Sequence, residues 1–145
     1  MSTIVGKDLI KQYGNGDSTV YAIQGVNFRI NSGEFVSVMG ESGAGKSTIL
    51  SIMGAMNAPS SGKLIVDDID IYDLGKEQRA DFRREFLGFI FQSFHLIPYL
   101  TALENVMLPL TTIKISRKEK SRMAGEALKW VGLEDKQKRL PSQIS

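Results

Sequence analysis

Apolar and polar positions along this 145-residue chain fall into short stretches of distinct period, separated by glycine-rich breaks. Ile4 to Tyr13 and Val20 to Ile30 are rich in β-branched and aromatic residues, which suit the pleated backbone of a strand. Between them stands Gly14-Asn15-Gly16-Asp17-Ser18, whose Asn-Gly pair offers the positive φ angles of a tight hairpin turn. Asn31-Ser32-Gly33 predicts a second turn, and Glu34 to Met39 a short strand. A glycine-rich run then leads into Lys46 to Met56, which has helix-forming composition. Asn57 to Gly62 is a breaker, and Lys63 to Val66 predicts a brief strand. Lys76 to Phe86 is charged and helical in pattern, and Gly88 to Phe91 predicts a buried strand.

Two capping boxes mark helix starts further along, because a Ser or Thr oxygen and a Glu three residues later satisfy each other's backbone amides. Thr101-Ala-Leu-Glu104 opens a helix cut short before Pro109. Ser116-Arg-Lys-Glu119 opens a longer one running to about Val131, with Gly132 as its stop. Met123, Ala124, Ala127, Leu128 and Val131 fall on one face of that helix. Strands alternating with helices predict an α/β fold with an antiparallel portion at the front.

Composition narrows the class. The apolar fraction of 42% is far above that of a disordered chain, and the length fits one domain. A net charge of +2 is spread along the sequence, so no nucleic-acid partner is expected. There are no cysteines, which excludes disulfide scaffolds and thiolate sites, and the single histidine excludes a multi-histidine metal centre. No apolar run approaches the ~18 residues of a membrane span, and Met1 to Ile10 lacks the pattern of a signal peptide. A soluble cytoplasmic domain is the expectation.

One segment carries chemistry. Gly40-Glu41-Ser42-Gly43-Ala44-Gly45-Lys46-Ser47 satisfies G-x-x-x-x-G-K-[S/T] in full. The glycines let the loop turn through conformations closed to β-carbon residues and bring backbone amides against phosphate. The helix starting near Lys46 adds its N–H groups and positive dipole end to the same site. Lys46 would reach the β- and γ-phosphates, the Ser47 hydroxyl would complete a Mg²⁺ shell, and Thr48 would add a further amide and hydroxyl. A glycine-rich turn that binds nothing is the bland alternative, and placement between a predicted strand and a predicted helix argues against it. The pattern points to a nucleoside triphosphate without saying what is done with it.

The flanking residues carry a resemblance. Gly40 to Thr48 resembles the Walker A loop of ABC-type ATP-binding subunits, which commonly continue as Gly45-Lys46-Ser47-Thr48 does. Gly88-Phe-Ile-Phe-Gln92-Ser-Phe-His-Leu-Ile-Pro98 is similar to the Q-loop region of the lipoprotein-release and macrolide-export branch, and Leu100 to Val106 continues the match. Pro141 to Ser145 is similar to the residues that run into that family's Leu-Ser-Gly-Gly-Gln signature. The resemblance implies a P-loop ABC ATPase N-terminal portion: an antiparallel β subdomain, the Walker A strand, loop and helix, and the start of a helical subdomain. It implies ATP and Mg²⁺ as cofactors, bound by Gly40, Glu41, Ser42, Gly43, Ala44, Gly45, Lys46, Ser47 and Thr48. It assigns adenine stacking to Tyr13, and to Gln92 a contact to Mg²⁺ shared with Ser47. Residues Ser93 to Leu100 would face a transmembrane permease, placing the protein in the cytoplasm at the inner face of the membrane.

Two motifs compete with these assignments. Leu64-Ile-Val-Asp67-Asp68 superficially resembles a Walker B strand but follows a breaker, so a turn is expected there. His95 lies just past the Q-loop and is expected to be a surface or packing residue, and Arg79, Arg83 and Arg84 a solvated helix face interleaved with Glu77, Asp81 and Glu85. Glu41 stands where this branch often has proline, and Asp68 where it usually has a turn glycine. The chain stops at the second residue of the signature, so it is expected to be the front part (1–145) of a longer ATP-binding domain. Lys46 and Gln92 would contribute to turnover, but no catalytic residue is assigned and the chain alone is expected not to hydrolyse ATP. The full-length form would pair with a second ATP-binding subunit. The alternatives are a nucleotide-binding remnant without turnover, a P-loop kinase for a small metabolite, and a soluble ABC ATPase that does not transport.

Overall fold

In the computed structural model, which describes residues 3–144, the β-branched stretches near the front pair as an antiparallel ladder. Met1, Ser2 and Ser145, including the last residue of the signature-like segment, lie outside the described residues. The chain divides into two units, residues 1–89 and 90–145.

In the first unit, β1 (Thr3–Tyr13) and β2 (Val20–Asn31) run antiparallel with Gly6 opposite Phe28 and Tyr13 opposite Val20. β3 (Ser61–Val66) adds to the other edge of β1, and β4 (Ile69–Asp70) completes the order β2-β1-β3-β4. The β1–β2 ladder shifts register after Gly6, where Asp8 takes a φ of 46°. Asn27 closes that bulge, accepting from the Asp8 amide at 2.9 Å and donating to the Asp8 carboxylate at 2.8 Å. The fully buried side chains Leu9, Ile52, Leu64 and Ile71 join sheet and helix in one core, with Phe28 and Phe82 packed against it.

Helix α1 (Lys46–Met53) ends three residues before the expected Met56. Ala55 takes a left-handed φ of 53°, its amide bonds Ile52, and the Met56 amide bonds the Ser51 carbonyl at 3.0 Å. Those two bonds make a Schellman stop with alanine where glycine is usual. Helix α2 (Lys76–Phe86) spans the expected residues.

Three expectations need correction. The β1–β2 connection is not a two-residue Asn-Gly turn: it carries a 3₁₀ turn at Gly16–Ser18, Asn15 is extended at φ −136°, and Gly14 and Gly16 take the positive φ angles. Residues 34–39 and 88–91 form no strand. A strand exists through its ladder, and among the described residues neither stretch joins the four-stranded sheet. Phe35 and Ile90 are fully exposed as a result. The Asp67-Asp68 expectation holds: both residues have positive φ, and Val66 pairs with Ile69 across them, a two-residue hairpin turn.

In the second unit, α3 (Ala102–Met107) packs on α4 (Arg117–Trp130) through Ala102, Asn105, Ala124 and Leu128, and 3₁₀ turns cover Leu108–Thr112, Glu134–Lys136 and Pro141–Gln143. The Thr101–Glu104 box forms in both directions. The Ser116–Glu119 box forms in one: Ser116 accepts from the Glu119 amide, while the Glu119 carboxylate goes to Arg122 at 2.6 Å. Gly132 stops α4 at φ 70°, with Leu133 bonding back to Leu128. Val131 and Met123 are exposed, so the inward face of α4 is narrower than its apolar spacing suggests. No helix among the described residues is long and apolar enough to cross a membrane.

Candidate functional site

The loop 40–45 is shaped by what lies behind it. Gly45 caps α1 at φ 85°, and a β-carbon there would overlap the carbonyl oxygen of Ala22 and the Ile23 side chain. The loop therefore lies flush against β2, and only glycine fits. Gly43 also has a left-handed φ, 84°, but faces open space. The Ala44 amide beside it bonds the Glu41 carbonyl at 3.2 Å, a turn that gives the loop its bend.

Helix α1 begins with no side-chain cap and no acidic residue in its first turn. Its first N–H groups have no intrahelical acceptor, and the positive end of its dipole is uncompensated by any carboxylate of its own. Lys46 folds back over the loop and donates to the carbonyls of Gly40 at 2.8 Å and Glu41 at 2.6 Å. The Glu41 side chain and Ser42 are exposed, so Glu41 meets Lys46 through its backbone and not its carboxylate. Ser47 is exposed and Thr48 half-buried. An uncapped helix start, an ammonium and a serine hydroxyl form a donor set that fits a phosphate chain with its Mg²⁺.

Tyr13 ends β1 on the same unit. Its ring is 47% exposed, with Lys11 Nζ 5.2 Å from the centroid. Lys11 also donates to the Ala58 carbonyl at 2.7 Å, and the Tyr13 hydroxyl accepts from Asn57 at 2.8 Å. Lys11 of β1 lies over the ring and Asn57, past α1, holds its tip, a role for Asn57 that the sequence did not show because Asn57 looked like part of a breaker.

Gln92 belongs to the second unit, where it is exposed and makes no side-chain hydrogen bond to the described residues. The segment after it is held by Asn105, which was not anticipated either. Asn105 is 9% exposed; its oxygen accepts from the Ile97 amide at 2.8 Å, and its amide donates to the carbonyls of Ile97, Leu100 and Thr101. Phe94 and Leu96 of that segment border an apolar cavity of about 370 Å³ with Val106, Leu128 and Ile144. His95 behaves as a packing residue: its ring rests 4.7 Å from Phe91 and its Nδ1 meets the Ser93 carbonyl at 2.7 Å.

Comparison with known proteins falls on these same residues. The family model described as ABC transporter matches residues 23–145. The lipoprotein-releasing system ATP-binding protein LolD of Geobacter metallireducens is 41% identical over 95% of this chain and 61% of its own length. The macrolide export ATP-binding/permease protein MacB of Mannheimia succiniciproducens is 38% identical over 100% of this chain and 23% of its own. The solved dimeric, post-hydrolysis structure of the ATP-binding cassette MJ0796 of Methanocaldococcus jannaschii, bound to ADP and Pi, superposes with a TM-score of 0.86 at 42% identity, covering 98% of this chain and 63% of that one. The chain thus spans about three fifths of LolD and of that cassette. The match takes in the phosphate loop, its helix, the Gln92 segment and the α3–α4 pair together, and by it the chain belongs to the ABC transporter family, as an ATP-binding cassette sequence with the fold of the N-terminal P-loop portion.

Proposed function

We propose that residues 40–48 bind the phosphates of Mg²⁺-ATP, and that the protein is the ATP-binding subunit of an ABC transporter of the lipoprotein-release or macrolide-export type. The observation that supports this reading most is the uncapped start of α1 behind a glycine loop seated flush on Ala22. In this reading Lys46 leaves the carbonyls of Gly40 and Glu41 for the β- and γ-phosphates, exchanging two neutral acceptors for an anion. Tyr13 offers its ring face to the adenine. The Ser47 hydroxyl would hold Mg²⁺, which supplies charge neutralisation along the phosphates when bound.

Domain organisation and partners follow from the same reading. Residues 1–145 form part of an ABC ATP-binding domain carrying the A-loop tyrosine, Walker A and Q-loop. Residues 93–100, shaped by Asn105 and bordering the apolar cavity, would meet the permease at the inner face of the membrane. A second ATP-binding subunit would complete the working unit, and hydrolysis would drive export or lipoprotein release.

The test is a titration of the chain with Mg²⁺ and a fluorescent ATP analogue. Lys46→Ala removes a charge-assisted donor worth about 1.5–3 kcal/mol, so affinity is expected to fall roughly 10- to 150-fold. Unchanged affinity would overturn the phosphate-loop assignment.

A further inference from the structure

Helix α2 sorts its charges by face. Arg84 is bound on one side by Asp81 at 2.9 Å and Glu85 at 3.1 Å. Lys76, Arg79 and Arg83 stand at i, i+3 and i+7 and together line a cavity of about 390 Å³ whose walls include no carboxylate. None of the three makes an ion pair with any described residue. The solvated-face reading of the basic cluster thus holds for Arg84 and fails for Arg79 and Arg83, which are half-buried.

The cavity is built from neutral, rigid parts around those cations. Tyr72 supplies one wall, its hydroxyl held between the carbonyls of Ile52 at 2.7 Å and Asn57 at 2.9 Å. Burial pushes that phenol up to about 12, so the wall stays uncharged. The Arg79 guanidinium lies over the Tyr72 ring, 5.5 Å from its centroid, which holds the cation against that wall. Arg83 spends one nitrogen on the Ala55 carbonyl at 2.8 Å, at the left-handed stop of α1, and keeps its other donors. That bond gives Arg83 a structural duty; it explains neither Lys76 nor Arg79.

We propose that Lys76, Arg79 and Arg83 form a second anion site, separate from the loop at 40–48, that takes a phosphate-bearing group. Two positioned guanidinium groups suit the oxygens of a tetrahedral anion, and three cations match a doubly charged phosphate better than a single carboxylate. The phosphate could be a free anion or the headgroup of a lipid, and both present the same oxygens to the cavity.

The experiment uses the full chain carrying Lys46→Ala, so that loss of the phosphate loop cannot be confused with loss of this site. Inorganic phosphate is expected to shift the side-chain N–H resonances of Arg79 and Arg83. Adding Lys76→Gln and Arg79→Gln together should weaken that binding about tenfold or more. Lys76 is exposed, so Lys76→Gln alone, with folding checked by circular dichroism, should still weaken it several-fold. Sedimentation with phosphatidylglycerol vesicles, but not phosphatidylcholine vesicles, that the double variant loses would assign the phosphate to a lipid. Phosphate binding without vesicle binding would assign it to a soluble anion. Phosphate affinity unchanged in the double variant, or acetate bound more tightly than phosphate, would overturn the proposal.

Discussion

The side-chain amide of Asn57 donates a 2.8 Å hydrogen bond to the phenolic oxygen of Tyr13, tying the end of β1 to the chain just past α1. This bond links the ring proposed for the base to the segment that leaves the helix after the glycine loop. Tyr13→Ala removes a stacking face worth about 1–3 kcal/mol, so ATP affinity should fall roughly 5- to 150-fold. Asn57→Ala leaves the ring and loosens its tip, and a loss of only a few-fold is expected. Equal affinities for parent and Tyr13→Ala in the fluorescent titration would remove Tyr13 from the site.

Gly45 separates steric fit from backbone preference. Gly45→Ala would hold a left-handed φ and also drive a β-carbon into the backbone of Ala22. Gly16 has a positive φ of 57° as well, with open space where its β-carbon would stand. Gly16→Ala should cost about 1 kcal/mol, and Gly45→Ala several times that with the loop displaced. Urea unfolding of the two variants checks this; equal midpoints would show that the loop gives way to the methyl group.

Asn105 holds residues 97–101 by hydrogen bonds from both ends of its side chain. Asn105→Leu keeps the volume but strands the Ile97 amide and the Leu100 carbonyl, while the carbonyls of Ile97 and Thr101 keep the backbone amides of Leu100 and Asn105. A loss of about 2–4 kcal/mol is expected, with faster amide exchange at Ile97 as the local sign. Protection at Ile97 equal to the parent's would mean the segment keeps its shape without Asn105.

Acid sensitivity should come from exposed carboxylates held by their neighbours: Glu119, lowered first by its hydrogen bond to Arg122, and two caps. The Glu34 carboxyl is held below its usual value by the Asn31 side chain and then the Asn31 amide, and Glu104 by the Thr101 amide and then the Thr101 hydroxyl. A carboxylate whose folded pKa is depressed adds stability above its unfolded value, 4.5, and loses it as pH falls through the folded one. Glu104→Gln keeps the capping box without the charge. Its unfolding midpoint should therefore fall less than the parent's between about pH 5 and pH 2. Parallel curves would place the acid sensitivity elsewhere.

What the sequence revealed is what short-range chemistry decides. The start of α1 at Lys46, the Thr101 box, the Gly132 stop and the Asp67-Asp68 turn each depend on residues within a few positions, and each stands where expected. Ala55 was hidden because helix stops are sought at glycine, and here the Met56 and Arg83 bonds hold an alanine left-handed. Asn105 was hidden because its partners lie up to eight residues back, across a loop whose path no periodicity describes. Arg84 and Arg83 are neighbours in sequence with opposite duties, set by which side of α2 meets the core. Residues 34–39 have the composition of a strand, but pairing is a property of two segments and composition describes one.

Exposed apolar side chains set a final expectation. In the first unit Phe35 is 99% exposed and Met39 86%; in the second, Ile90, Phe94 and Trp130 are as open. Apolar groups presented this way bind dyes and one another, driven by the area that contact removes from water. The 145-residue chain should enhance fluorescence of a hydrophobic dye and sediment faster as its concentration rises. Phe35→Ser with Met39→Ser should lower both signals while shifting the urea midpoint little, because side chains already in water have almost no burial to lose. A large drop in midpoint would show instead that Phe35 and Met39 are packed in solution.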